Sequence, residues 1–335
     1  MLTVLDSIPE GLLNTTAANL HRVLPGPTLI HLSGRRPEPL FVSVLLHGNE
    51  DTGWEAVRAL LAEHAAELPR ALSLFIGNVA AARQGLRHLP DQPDYNRIWR
   101  GDGTPEHALM REVVEQMRGR RPFASIDIHN NTGLNPHYAC VNELAPPFFH
   151  LATLFSRTVV YFTRPDTVQS LAFAQLCPAV TVECGQPGQM RGVEHARKFV
   201  AAALQLAEIP QHPIAAHDMD LFHTVATVKI AEGVSIGCEG DVVDLQLLRD
   251  IDHLNFHELV AGTTIGFIGK GAVMPVVAND ELGRDVTARY FRMESEQLRT
   301  SVPVMPSMLT CNLDIVRDDC LCYLMERYAL EPREQ

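Results

Sequence analysis

The residues with the clearest chemical capacity are an imidazole and a carboxylate three apart, in Phe41-Val-Ser-Val-Leu-Leu-His-Gly-Asn-Glu-Asp-Thr-Gly. His47 and Glu50 follow an apolar, partly β-branched run and precede a helical pattern, which places them at a strand-to-helix turn. One nitrogen and one oxygen there can ligate a zinc ion and leave other positions for water. A solvated turn can carry the same pair. His129, in Ile126-Asp-Ile-His-Asn-Asn, stands just past a second short strand. It offers the second imidazole that a His/Glu/His site requires, with Asp127 placed to orient it; a loop imidazole holding a turn is the alternative. Glu183 closes a third apolar strand, Val180-Thr-Val-Glu. A strand-end carboxylate not needed as a ligand is a natural general base for a metal-activated water, or else an ordinary helix-entry acid. In Asp94-Tyr-Asn-Arg, Asn96 and Arg97 set a neutral donor beside a planar, bidentate carboxylate receptor. A surface arginine paired with Asp91 or Asp94 is the plainer reading.

These positions depend on the elements that carry them. From Phe41 to about Ile209 strands and helices alternate, the pattern of a sheet with helices on both faces. Strands are expected at Thr28–Leu32, Phe41–Leu46, Ala71–Ile76, Ala124–Ile128, Val159–Phe162 and Ala179–Val182. Helices are expected at Trp54–Glu67, Glu106–Met117, Val168–Gln175 and Val193–Leu206. The second is well marked: Thr104 can cap, Pro105 suits the first position, and Leu109, Met110, Val113, Val114 and Met117 share a face. A boundary falls near Pro210-Gln-His-Pro, giving a larger domain over 1–212 that carries these residues and a smaller, mainly β domain over 213–335, expected to cap them. Its strands are expected at Phe222–Ile230, Thr263–Phe267, Ala272–Val277 and Val286–Phe291.

Composition narrows the class. The 335 residues are 46% hydrophobic and 20% charged, with no apolar run long enough for a bilayer, so no membrane partner is expected. The formal net charge of −12 comes without a basic block, which argues against nucleic acid. The N-terminus lacks the features of a signal peptide, and seven cysteines without a regular framework fit free thiols in a reducing cytoplasm.

Taken in order, His47-Gly-Asn-Glu50, Asn78 with Arg87 downstream, Asp94-Tyr-Asn-Arg97, Asp127-Ile-His129 and Glu183 resemble the zinc carboxypeptidase superfamily. Within it the likeness is to the succinylglutamate desuccinylase/aspartoacylase branch, over about residues 40–205. The resemblance implies an α/β fold, a carboxypeptidase-like mixed sheet flanked by helices. It implies one zinc ion per chain on His47, Glu50 and His129, with Glu183 as general base and Arg87 polarising the scissile carbonyl. It also implies that Asn96 and Arg97 grip a substrate carboxylate, with Asn78 in the binding region. Aspartoacylases carry an arginine about ten residues before the base, where this chain has Phe173. Phe173 is therefore expected to line the substrate site and to favour a less acidic substrate than N-acetylaspartate, unless Arg164 or Arg191 compensates.

The expected activity is metal-assisted hydrolysis of the amide of a small N-acyl amino acid. The alternatives are a carboxypeptidase acting on short peptides, an esterase, and a non-catalytic binding module that keeps the fold. Base and oxyanion donor together speak against the last. A homo-oligomer is compatible with the sequence. His137, His195, His253, His257, Asp318 and Asp319 are read as loop, packing or surface residues.

Overall fold

In the computed structural model, which describes residues 1–64, 67–238, 242–271 and 273–330, the chain forms two compact units. The first is Met1–Asn130 with His137–Asp220; the second is Asn131–Pro136 with Leu221–Gln335.

The first unit has strands β1 (Thr3–Leu5), β2 (Thr28–Leu32), β3 (Gly34–Val44), β4 (Leu68–Ile76), β5 (Ala124–His129), β6 (Tyr138–Val141), β7 (Thr158–Tyr161) and β8 (Ala179–Glu183). They lie in the order β1-β2-β4-β3-β5-β8-β6-β7. The four central strands β4, β3, β5 and β8 are parallel, while β2 and β6 join them antiparallel. Leu40 to Val44 and all of β5 and β8 are buried, as strands covered on both faces must be. Helices α1 (Thr52–Glu63), α2 (Val79–Ala82), α3 (Pro105–Arg120), α4 (Pro146–Thr153), α5 (Gln169–Phe173) and α6 (Met190–Gln205) complete the unit. In α3 the Thr104 hydroxyl accepts from the His107 N–H, Pro105 opens the helix, and Leu109, Met110, Val113 and Met117 are buried. The chain runs from β3 outward to β4 and, on the other side, from β5 outward to β8. The strand order thus reverses between β3 and β5, the place where open α/β sheets put their sites.

The second unit holds β9 (Asp220–Ile230), β10 (Ile236–Gly237), β11 (Leu245–Leu247), β12 (Thr264–Ile268), β13 (Val276–Asp280), β14 (Phe291–Glu294), β15 (Gln297–Thr300), β16 (Met305–Ser307) and β17 (Cys322–Arg327). Strand β9 pairs antiparallel with β13 and β17, and β16 adds to β17. The remaining strands form a second sheet, β10-β11-β12-β15-β14. Two short helices, α7 (Thr287–Tyr290) and α8 (Leu313–Asp318), accompany them. The strand expected at Val286–Phe291 is instead α7 followed by β14. Asp285 Oδ1 accepts from the Thr287 N–H at 2.8 Å and turns the chain into a helix, a competition that side chains of this type often win. Ala272, at the start of another expected strand, lies outside the described residues. Among the described residues no helix is long and apolar enough to cross a membrane.

One buried histidine bears on stability. His31 of β2 lies opposite Ser73 of β4, and its Nδ1 is 2.8 Å from the Ser73 hydroxyl. Its Nε2 is buried without a hydrogen-bond partner among the described residues. Burial, helped by Arg120 and opposed by Asp6, pushes its pKa down to about 4. The folded state therefore keeps this ring neutral while the unfolded chain protonates it near pH 6.5. Stability should be full above pH 6.5 and should fall as pH drops toward 4, by at most about 3 kcal/mol. Denaturant titrations across that range should show a shallower slope for His31→Asn; an unchanged slope contradicts the assignment.

Candidate metal centre

The expected ligand turn begins where β3 ends. Leu45 adopts a left-handed backbone (φ 56°), which bends the chain out of the sheet and puts His47 and Glu50 above it. Gly48 permits a close approach. A Cβ there would lie 2.3 Å from the Ala82 nitrogen, and its own N–H donates to the Arg87 carbonyl at 3.0 Å. The turn is thereby fastened to the segment that carries Arg87. His129 is the last residue of β5 rather than just beyond it, and the register sets it directly across from Glu183 of β8. Register partners point to the same face of a sheet, so one face of two neighbouring strand ends presents both side chains.

His47, Glu50 and His129 meet. Each offers a ligand atom within 4.8 Å of the others', and all three are buried; no other such group of three occurs among the described residues. His47 Nδ1 is 2.7 Å from Glu50 Oε1, and His129 Nδ1 is 2.8 Å from Glu50 Oε2. The far side of each ring is backed by a carboxylate: His47 Nε2 by Asp94 Oδ1 at 3.0 Å, His129 Nε2 by Asp127 Oδ2 at 2.8 Å. A proton kept on Nε2 by such backing would free the Nδ1 lone pair for a metal ion on the Glu50 side. Asp127 is in turn held by the Ser43 hydroxyl at 2.7 Å across β3 and β5. Side chains two apart on a strand need not touch, yet Asp127 and His129 do.

The electrostatics fit a cation. Burial pushes His47 down and Arg87 adds to that, but Glu50 and Asp94 outweigh both and leave the ring above its ordinary value. For His129 burial is likewise overcome, by Asp127 and Glu50, and the rise is large. Glu50 and Asp94 stay below the usual carboxylate range despite burial, because the imidazoles, and for Asp94 also Arg87, favour their charge. Two imidazole nitrogens, each ring backed by a carboxylate, and one shared carboxylate suit zinc and similar divalent metals.

Arg87 stands beside this group. Its Nε and one terminal nitrogen lie 3.0 and 2.9 Å from Asp94 Oδ2, and the other is 3.9 Å from Glu50 Oε1. Asp94 thus serves His47 and Arg87 at once. In sequence Asp94 is an ion-pair partner for an arginine and the first residue of Asp94-Tyr-Asn-Arg97; its bond to His47 is what the structure adds. Asn96 is buried, its Oδ1 accepting from the Gln169 N–H at 3.0 Å and its Nδ2 lying 3.2 Å from His129 Nε2. Arg97, half-buried, donates to the Asn96 carbonyl at 3.0 Å. The rings of His137 and His195 meet at a tilt of 35°, centroids 4.7 Å apart, and His257 bonds the Asn255 carbonyl.

Asn78 caps α2, accepting from the Ala81 N–H at 3.1 Å, and donates to Gln92 Oε1 at 2.7 Å. One expectation needs correction: Phe173 is not placed to line a site. It is fully buried, stacked on Phe41 at 4.1 Å and edge-on to Trp99 at 5.8 Å. Helix α5 turns this side chain into the interior against Phe41, so its position gives no preference for a less acidic substrate. Phe173→Arg should cost more than about 4 kcal/mol by burying an unpaired charge in an aromatic cluster. Denaturant unfolding tests this; a variant as stable as the parent would return Phe173 to the surface of the site.

Residues 39–209 match the family model described as the succinylglutamate desuccinylase/aspartoacylase catalytic domain. The fold is similar to that of succinylglutamate desuccinylase from Chromobacterium violaceum (TM-score 0.56, 18% identity, covering 89% of this chain and 87% of that one). It is also similar to a succinylglutamate desuccinylase/aspartoacylase from Rhodobacter sphaeroides (0.59, 14%, 89% and 88%) and to murine aminoacylase 3 (0.56, 16%, 88% and 97%). Among curated protein sequences none matches the chain.

Proposed function

This chain belongs to the succinylglutamate desuccinylase/aspartoacylase family, and from that premise we propose that it is a zinc-dependent hydrolase cleaving the amide bond of a small N-acyl amino acid. The observation that carries the reading is the buried group His47, Glu50 and His129, with both Nδ1 atoms facing the two oxygens of one carboxylate. These three residues would hold one zinc ion per chain. When bound, the ion supplies Lewis acidity, bringing the pKa of a water toward about 7 and polarising the substrate carbonyl.

The chain's own side chains account for the remaining steps. Glu183, across from His129, takes the water's proton and returns it to the leaving nitrogen. Arg87 stabilises the charge that develops on the carbonyl oxygen; one such donor typically contributes about 3–4 kcal/mol. Asp94 keeps that guanidinium in place and, with Asp127, keeps both imidazoles in the metal-binding tautomer. Arg97, beside Asn96, takes the carboxylate of the amino acid, so that binding energy away from the scissile bond serves orientation. The similar structures named as desuccinylase and aminoacylase support a small acylated amino acid as substrate.

A panel of N-acyl amino acids and short peptides, incubated with the zinc-loaded protein, tests the substrate class. Free amino acid should be released from N-acyl amino acids with higher kcat/KM than from any peptide. Preferred cleavage of peptides would make the protein a carboxypeptidase, and no cleavage of either class would make it a binding module.

A further inference from the structure

We infer that Asn130 and Asp51 are positioning residues that tie the loop after Glu183 to the metal-ligand turn and so set where Glu183 stands relative to Glu50. This rests on the reading of Glu183 as the base. Strand β8 ends at Glu183, and the last bond holding it to β5 is Cys184 N–H to the His129 carbonyl at 2.9 Å. Beyond it the chain contains Gly185 and Gly188, both left-handed (φ 73° and 76°). Glycine pays the largest entropy cost on ordering, so such a segment needs ties of its own to hold one geometry.

Asn130 supplies the first tie, and it does so with every polar group it has on that side. Its backbone N–H donates to Glu50 Oε2 at 3.1 Å. Its side-chain Oδ1 accepts from the Thr52 N–H at 3.3 Å, where α1 begins. Its Nδ2 donates to the Gly185 carbonyl at 2.8 Å. One buried amide therefore spans the ligand turn on one side and the base loop on the other. Asp51, next to Glu50, supplies the second tie: its Oδ1 accepts from the Gly188 N–H at 3.3 Å. The side-chain bonds of Asn130 and Asp51 all go to backbone groups, the Thr52 N–H, the Gly185 carbonyl and the Gly188 N–H, so truncating either side chain removes the ties to the base loop and leaves the backbone contact to Glu50 in place.

A displacement of the base by about 1 Å can cost on the order of 100-fold in rate. Asn130→Ala is accordingly expected to lower kcat by about 10- to 100-fold, with KM within about threefold and metal content retained. Asp51→Ala should lower kcat by about three- to tenfold, and Asp51→Asn, which keeps the Oδ1 acceptor, should restore it. The decisive arm places Asn130→Ala and Asp51→Ala in a Glu183→Gln background. With the base already disabled, neither should lower the residual rate further; full additive losses there would mark a merely structural role and overturn the inference. Should Asn130→Ala lose its metal or its fold, Asp51→Ala and Asp51→Asn decide alone, and a wild-type kcat in Asp51→Ala overturns it. Failure of the base reading looks different: Glu183→Gln would then itself turn over normally. An inactive Glu183→Gln beside fully active Asn130→Ala and Asp51→Ala removes the ties and leaves the base standing.

Discussion

Replacing Glu183 by Gln is expected to lower kcat by at least about 100-fold, the usual lower span for general acid–base catalysis. The substitution keeps the size and planarity of the side chain and removes only its ability to accept a proton. Glu183 is buried at the end of β8, in register with His129. It is absent from the group of three that could hold a metal. Metal content should therefore stay at the wild-type level, and KM should change little. The split matters: loss of kcat with metal retained is the mark of a proton-transfer residue, whereas loss of both would make Glu183 part of the metal site. Turnover near wild type in Glu183→Gln would remove the residue from the chemistry.

The other large effect concerns the ligands. His129→Ala and His47→Ala should each abolish stoichiometric metal binding and with it all measurable hydrolysis, because two protein donors hold a zinc ion poorly where three suffice for a catalytic site. The carboxylates behind the rings should show a graded version. Asp94→Asn and Asp127→Asn are expected to cost about 10- to 100-fold in metal affinity, the usual effect of removing an outer partner. Acid should mimic these changes. Both imidazoles are held above their ordinary value by carboxylates, so protons compete for the Nδ1 lone pairs and metal affinity should fall as pH is lowered. Metal analysis of the purified variants, beside circular dichroism to establish folding, separates ligand loss from unfolding. Full metal content in either alanine variant would exclude that histidine from the centre.

The central strands were legible because they are buried on both faces and their apolar runs are short and sharply bounded; β2 and β8 fall within a residue of their expected limits. The grouping of His47, Glu50 and His129 was legible for the same reason, since polar residues at the ends of such runs stand out. Strand β6 and helix α4 were not. Tyr138–Val141 is a four-residue run between an Asn-Pro turn and a polar loop, and α4 opens on two prolines, which read as a break before they read as a first turn. The bonds of Asp94 to His47 and of Asn130 to Glu50 were not legible, because they join residues 47 and 80 positions apart in sequence. The error at Phe173 has a different origin. A position counted back from Glu183 ignores that α5 is a five-residue helix that buries Gln169, Ser170 and Phe173.

The most direct measurement follows amine release from an N-acyl amino acid by one protein sample in three states: as loaded with zinc, after removal of metal by a chelator, and after zinc is returned. The expected result is hydrolysis in the first state, none in the second with the fold retained, and recovery in the third at one zinc per chain. Hydrolysis that persists undiminished in metal-free protein, or amine release absent from the zinc-loaded protein, would contradict a metal-dependent deacylase built on His47, Glu50 and His129.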